Sequence, residues 1–214
     1  MTAFHLNSEI NFEARDQGVP SYILDGKNIG KWLGPQEGKP IVELRVLLSL
    51  VTELLRKRIQ FVCVFEPNTL HWIFPGDQKL IYARLVANFP DVFVELNGDS
   101  KAGDGILLLA NRYPSATIIS NDDFKDFHGK SNHCMEYSRF APTETNDRHP
   151  RIVHGAAIPG LESLIVGALE INVQWGKNAD ELFATIASTL LGRMTSGSGS
   201  SRMDRLCSCT PVSI

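Results

Sequence analysis

A three-layer α/β sandwich on a largely parallel sheet is the fold this sequence predicts, and three observations predict it. Apolar strand runs and helical periods alternate strictly through the first two-thirds of the chain. The stretch "QFVCVF" (60–65) is apolar without a break, as a strand covered on both faces must be. The segment before it, 40–58, has apolar residues at 44, 47, 48, 51, 54 and 55, a helical period that opens on Pro40. Alternating units of this kind need crossover connections, and these place helices on the faces of a parallel sheet.

Taken in order, "SYILD" (21–25) reads as a short buried strand ending on an acid. The helix at 40–58 closes on Arg56, Lys57 and Arg58, cations where the helix dipole favours them. After the strand at 60–65 come a helix at 76–90, a strand at 91–96, a helix at 103–114 and a strand at 116–120, with "HCMEYSRF" (133–140) as a further strand. The polar, two-proline segment 141–150 reads as a linker. Beyond it, "RIVHGAAIPG" and "LIVGALEINVQW" predict a β-hairpin, and 178–194 an amphipathic helix capped by Asn178. Its apolar stripe (Leu182, Phe183, Ile186, Leu190, Leu191) needs a cover, either its own domain or a second copy in a homodimer. The Gly/Ser-rich residues 195–214 read as a disordered tail.

Composition sets the outer bounds. A chain of 214 residues, 43 % apolar and 21 % charged, is long enough to bury a core. The net charge of −3 argues against a general nucleic-acid coat, whose whole surface would be basic, but permits an enzyme with a local basic patch. No apolar run reaches the roughly 18 residues of a membrane span, and no secretory signal is visible. Cys63 sits in an apolar strand as a buried thiol, and the other cysteines have no framework spacing, so a reducing cytoplasm is expected.

The acids fall where chemistry is done. In a parallel α/β sheet, ligands bind outside the carboxyl ends of the strands. Asp25 ends the first strand, Asp122 follows the strand at 116–120, Asp126 lies one turn on, and Asp104 lies just inside the helix at 103–114. Each has a plain reading: "DG" is a turn dipeptide, Asp122 caps a turn, and Asp104 favours a helix N-terminus. Together they form a rim of carboxylates that cannot all ionise cheaply, since like charges within about 5 Å raise one another's pKa. A hard divalent cation removes that penalty. All-oxygen ligation suits Mg²⁺ or Mn²⁺, and such sites hydrolyse phosphate esters.

The motifs "YILDGKNIG" and "GDGILLLANRYPSATIISNDDFKDF" resemble the NYN branch of PIN-like nucleases, and within it the Regnase/MCPIP type of ribonuclease. The resemblance covers about 20–140, and the segment 141–194 is then a C-terminal extension. It implies a PIN-like fold and a Mg²⁺-dependent endoribonuclease acting on single-stranded or stem-loop RNA. Asp25, Asp104 and Asp122 would ligate the metal, Asp126 would complete the ring, and Asn28 would orient a carboxylate or a metal-bound water. Ser120 and Asn121 would shape the turn and, with Lys27, Lys31, Lys101 and Lys125, meet RNA. Lys130 belongs to the same basic set, and Trp32 and Trp72 are loop aromatics placed to stack a base.

The sequence departs from the family at two points. Gly103 stands where that type often has a second acid, and no CCCH zinc finger is present in this chain. Two rivals therefore stay open: a structure-specific DNA nuclease, and a non-catalytic RNA-binding or scaffold module on the same fold.

Overall fold

The computed structural model describes residues 19–32, 42–73, 76–120, 122, 124, 137–142, 150–154, 161–169, 171–172 and 177–197. Six strands form one sheet: β1 (Tyr22–Asp25), β2 (Phe61–Phe65), β3 (Phe93–Glu95), β4 (Thr117–Ser120), β5 (Tyr137–Pro142) and β6 (Pro150–His154), in the order β3-β2-β1-β4-β5-β6. Every pairing is parallel except that of β5 with β6. The helices are α1 (Gly26–Gly30), α2 (Leu44–Arg56), α3 (Asp77–Asn88), α4 (Ala102–Arg112), α5 (Leu161–Leu169) and α6 (Ala179–Gly197). No helix among the described residues is long and apolar enough to cross a membrane.

The register makes β1 the centre of the sheet. Ile23 pairs with Val62 on one side and Ile118 on the other, and Leu24 with Cys63 and Ile119. Because side chains alternate along a strand, the two rows face opposite ways. Ile23, Val62, Val64 and Ile118 meet α4 through Ile106 and Leu109. Leu24, Cys63, Phe65, Phe93 and Ile119 join the larger core made with α2, α3, α5 and α6. A continuous apolar run such as "FVCVF" is therefore buried at all five positions, three to one face and two to the other. Three layers result, as the alternation predicts.

The last third departs from its prediction in three ways. The strand at 150–154 pairs antiparallel with β5, and residues 164–169 of the expected second hairpin strand are helical. The apolar run "LESLIVGAL" is the helix α5. Its apolar positions 161, 164, 165 and 168 have helical spacing; Leu164 and Ile165 are buried in the α2-side core, and Ala168 is also buried. A short, wholly apolar run satisfies strand and helix templates alike, which is how the hairpin expectation arose. The 141–150 linker is also narrower than read: β5 ends at Pro142, β6 starts at Pro150, and only 143–149 lie outside the described residues.

Helix α6 starts as expected, with Asn178 Oδ1 accepting from the Glu181 N–H at 2.8 Å. It runs to Gly197, three residues into the expected tail; 198–214 lie outside the described residues. Leu182, Phe183, Ile186 and Leu190 are buried in the α2-side core, and Arg84 of α3 lies 4.3 Å from the Phe183 ring centroid. Arg193 Nη2 donates to the Leu55 carbonyl at 3.1 Å. The cover for this stripe is thus the chain's own α2 and α3, and Leu191 alone of the stripe is exposed.

Candidate active site at the carboxyl end of the central strands

Asp25 is the last residue of β1 and the N-cap of α1, whose Asn28 N–H donates to Asp25 Oδ1 at 3.2 Å. The Asn28 side chain donates to Oδ2 at 2.6 Å, and the Ser120 hydroxyl donates to the same oxygen at 2.7 Å. The carboxylate is 2 % exposed. Gly26, next to it, is not a left-handed turn glycine: a Cβ there would strike the Phe65 ring and come within 2.8 Å of Cys63 Sγ. The Asp-Gly pair thus serves close approach of α1 to β2, where the sequence suggested a turn.

Ser120, at the end of β4, links the two acids. Its oxygen accepts from the Asp122 N–H at 3.0 Å while its hydroxyl donates to Asp25. Asp122 Oδ1 in turn accepts from the Phe124 N–H at 3.1 Å. Phe124 is buried under α4 and has φ of 49°, an uncommon conformation for a bulky residue. Its burial holds the turn that presents Asp122. Burial pushes the Asp25 carboxyl up, the bonds from Asn28 and Ser120 pull it down, and the charge of Asp122 pushes it up again. The net shift is upward. Among the expected acids, Asp25 and Asp122 are brought together.

The other expected residues fall differently. Asp104 is exposed in the first turn of α4. Among the described residues no three acids, histidines or cysteines are grouped to hold an ion. Asn121, Lys125, Asp126 and Lys130 lie outside the described residues. Ser120 is fully buried and engaged on both sides, so it serves as scaffold and does not fit a contact to RNA. Trp32 is also fully buried and has no face to offer a base, whereas Trp72 is 48 % exposed. Lys101 is exposed as the N-cap residue of α4. Lys31 is half-buried, and burial followed by the charge of Lys27 holds its ammonium below the ordinary range.

Glu66, the residue after β2, is a partner that sequence reasoning passed over. It forms an ion pair with Lys27, whose ammonium also sits 5.1 Å from the Trp72 ring centroid. Its signal was in the sequence, an acid directly after an apolar strand, as at Asp25. Glu95 at the end of β3 repeats the pattern and accepts from the Asn68 N–H at 3.1 Å.

The donor set suits a hard cation. Mg²⁺ takes one or two protein carboxylates and fills the rest of its octahedron with water and phosphate oxygens. Asp25 and Asp122 supply that number, and their mutual repulsion is what a divalent charge would relieve. No protein-family model, curated protein or solved structure matches this chain.

Proposed function

We propose that the chain is a Mg²⁺-dependent endoribonuclease with a PIN-like fold, cutting single-stranded or loop RNA in the cytoplasm, with Mn²⁺ as an alternative ion. The observation that carries this reading is Asp25: a buried carboxylate at the end of the central strand, bonded by neutral donors and facing a second acid. Asp25 and Asp122 would hold the ion, and Asp104 and Asp126 remain candidates to complete its shell through water. Bound there, the metal would polarise a phosphate and lower the pKa of a water. Asn28 and Ser120 fix the orientation of Asp25, Phe124 fixes that of Asp122, and exclusion of water strengthens every charge at the site. Lys31 adds positive charge beside the acids, where a phosphate backbone needs it, and Lys27 and Lys101 extend it.

A second reading, a non-catalytic RNA-binding module, is favoured by one observation: Gly103 stands where the second motif often has another acid, which leaves Asp104 there alone. Incubating the protein with single-stranded RNA, duplex RNA and single-stranded DNA, each with Mg²⁺, Mn²⁺ or EDTA, separates the possibilities. Cleavage of single-stranded RNA that EDTA stops is expected. Cleavage that EDTA leaves intact would sink the metal mechanism. RNA binding without cleavage would select the second reading, and preferred cleavage of DNA would select the DNA nuclease.

A further inference from the structure

Trp72 is the one exposed Phe, Tyr or Trp among the described side chains, whereas Trp32, just after α1, is fully buried. An aromatic ring is usually a chain's largest piece of apolar surface to bury, so an open indole calls for a reason. The ring does not sit on a pliable loop. The Thr69 hydroxyl donates to the Glu66 carbonyl at 2.7 Å, and the Trp72 N–H donates to the Thr69 carbonyl at 2.9 Å. The Trp72 carbonyl accepts from the Val42 N–H at 2.9 Å, and the next residue, Ile73, is buried and bridges to Val42. The backbone is fixed on both sides, and it holds the ring out to solvent.

The same contacts tie the ring to the acids. The turn that carries Trp72 hangs from Glu66, and Glu66 pairs with Lys27. Lys27 lies two residues after Asp25 in α1, and its ammonium is 5.1 Å from the Trp72 ring centroid. Lys31, one turn on, feels the charges of Lys27, Glu66 and Asp25, so all of these groups share one neighbourhood. Grooves that hold single-stranded nucleic acid combine cations along the backbone with aromatic rings on which bases stack.

We propose that Trp72 is a stacking platform for one unpaired base of the bound RNA strand, and that this contact registers the strand against Asp25 and Asp122. This rests on the proposed RNA-directed function and deepens it, by naming what selects an unpaired strand. Every base has a π-face, so a stacking ring accepts any of the four and carries no sequence preference of its own. It does discriminate by pairing state. A base inside a duplex has both faces covered by its neighbours and cannot lie on the ring without being unstacked and unpaired. Lys27 adds a cation between the ring and the acids, on the path that the phosphate next to a stacked base would take. Because the backbone of Trp72 is fixed, little freedom is lost when a base lands on the ring.

The test uses two short labelled RNA strands, one wholly abasic and one abasic except for a single adenine. Binding to the full chain is measured in EDTA by fluorescence anisotropy, and cut positions are mapped in Mg²⁺. One stacked base strengthens binding by about 5- to 150-fold, so the wild type should prefer the strand with adenine by a factor in that range. Trp72→Leu should bind both strands alike and hold the abasic strand as the wild type does. Cuts by the wild type should fall at one offset from the adenine and scatter in Trp72→Leu. Should Trp72→Leu fail to fold, Trp72→Phe decides, with its smaller ring giving a several-fold smaller preference. An adenine preference that survives both variants, or none in the wild type, would overturn the platform. So would a doubled mass in solution that Trp72→Leu abolishes, since a second copy would then cover the ring. RNA cut in Mg²⁺ without the adenine preference overturns the platform and leaves the nuclease reading standing. A preference lost in Trp72→Leu, with no RNA cut, supports the platform and overturns the nuclease reading.

Discussion

Asp25 and Glu66 close two adjacent strands: Asp25 ends β1 opposite Val64, and Glu66 follows β2 directly, two residues further on. Their charges are handled in opposite ways. Glu66 is part-exposed and has a lysine of its own, Lys27. Asp25 is buried, receives only neutral donors among the described residues, and feels the charge of a second carboxylate, Asp122. A buried carboxylate without a cation is expensive, and proteins resolve the cost by protonation, pairing or metal. One strand end has an ion pair with a lysine of the chain, and at its neighbour the proposed ion would supply the balancing charge. That contrast separates the candidate centre from the other acids on the rim.

The strongest attempt to break the contrast is paired substitution. Asp25→Asn and Asp122→Asn should each lower RNA cleavage by about 100-fold or more, because metal positioning supplies both nucleophile activation and charge stabilisation. Glu66→Gln should leave cleavage within a few-fold. Equal losses at all three positions in a gel-based cleavage assay would erase the distinction between the two strand ends.

Next in size is Ser120→Ala. It leaves the Asp122 N–H without its acceptor and Asp25 without one of its donors, in a fully buried position. Denaturant unfolding should show a loss of about 1–3 kcal/mol. An unchanged midpoint would mean that the two acids are held by something other than Ser120.

A subtler effect concerns pH. The Asp25 carboxyl is raised above its ordinary 3.8, chiefly by burial. The folded state then holds this proton more tightly than the unfolded state. The stability it contributes is fully present below 3.8 and is lost as pH rises through the raised folded value. Asp25→Asn lacks this dependence, so the wild type should lose stability relative to the variant between acid and neutral pH. Added Mg²⁺ should restore the wild type at neutral pH and not Asp25→Asn, as read by thermal unfolding. A gap that is flat with pH would place the carboxyl in a more polar setting.

The smallest expected effect is on the other side of the comparison. The Glu66–Lys27 pair is part-exposed, and such pairs contribute little. Glu66→Gln should change stability by no more than about 0.5 kcal/mol.

The parts of the molecule that local pattern determines were legible in the sequence. Alternation placed β1 to β4 and α2 to α4, whereas the central position of β1 beside β4 is a matter of long-range strand pairing that alternation alone does not fix. Asp25 and Asp122 could be paired by the rule that strand ends converge. What local pattern could not decide was α5, where "LIVGAL" fits both templates and packing against α2 chose the helix. Ser120 was read as an RNA contact because sequence does not show depth: its hydroxyl is turned inward to two acids. Trp32 misled for the same reason. Glu66 and Glu95 were visible as acids after apolar strands, but a lone acid carries no sign of whether a lysine awaits it. Phe124 stood inside the motif, and only its positive φ and burial show that it holds the turn.

The close approach at Gly26 has a consequence for how the centre can be altered. The position of Asp25 is calibrated by steric contact with the β2 side chains Phe65 and Cys63, not by a pliable loop. The tolerance of the site is therefore set from inside the core, by residues that touch no substrate. Enlarging Cys63 is mechanically the same perturbation as adding a methyl group to Gly26: each pushes α1 off β2 and carries the carboxylate with it. Gly26→Ala and Cys63→Met should thus behave as equivalent lesions, with overpacking costs of about 1–3 kcal/mol. Both should impair the centre with every one of its polar residues intact.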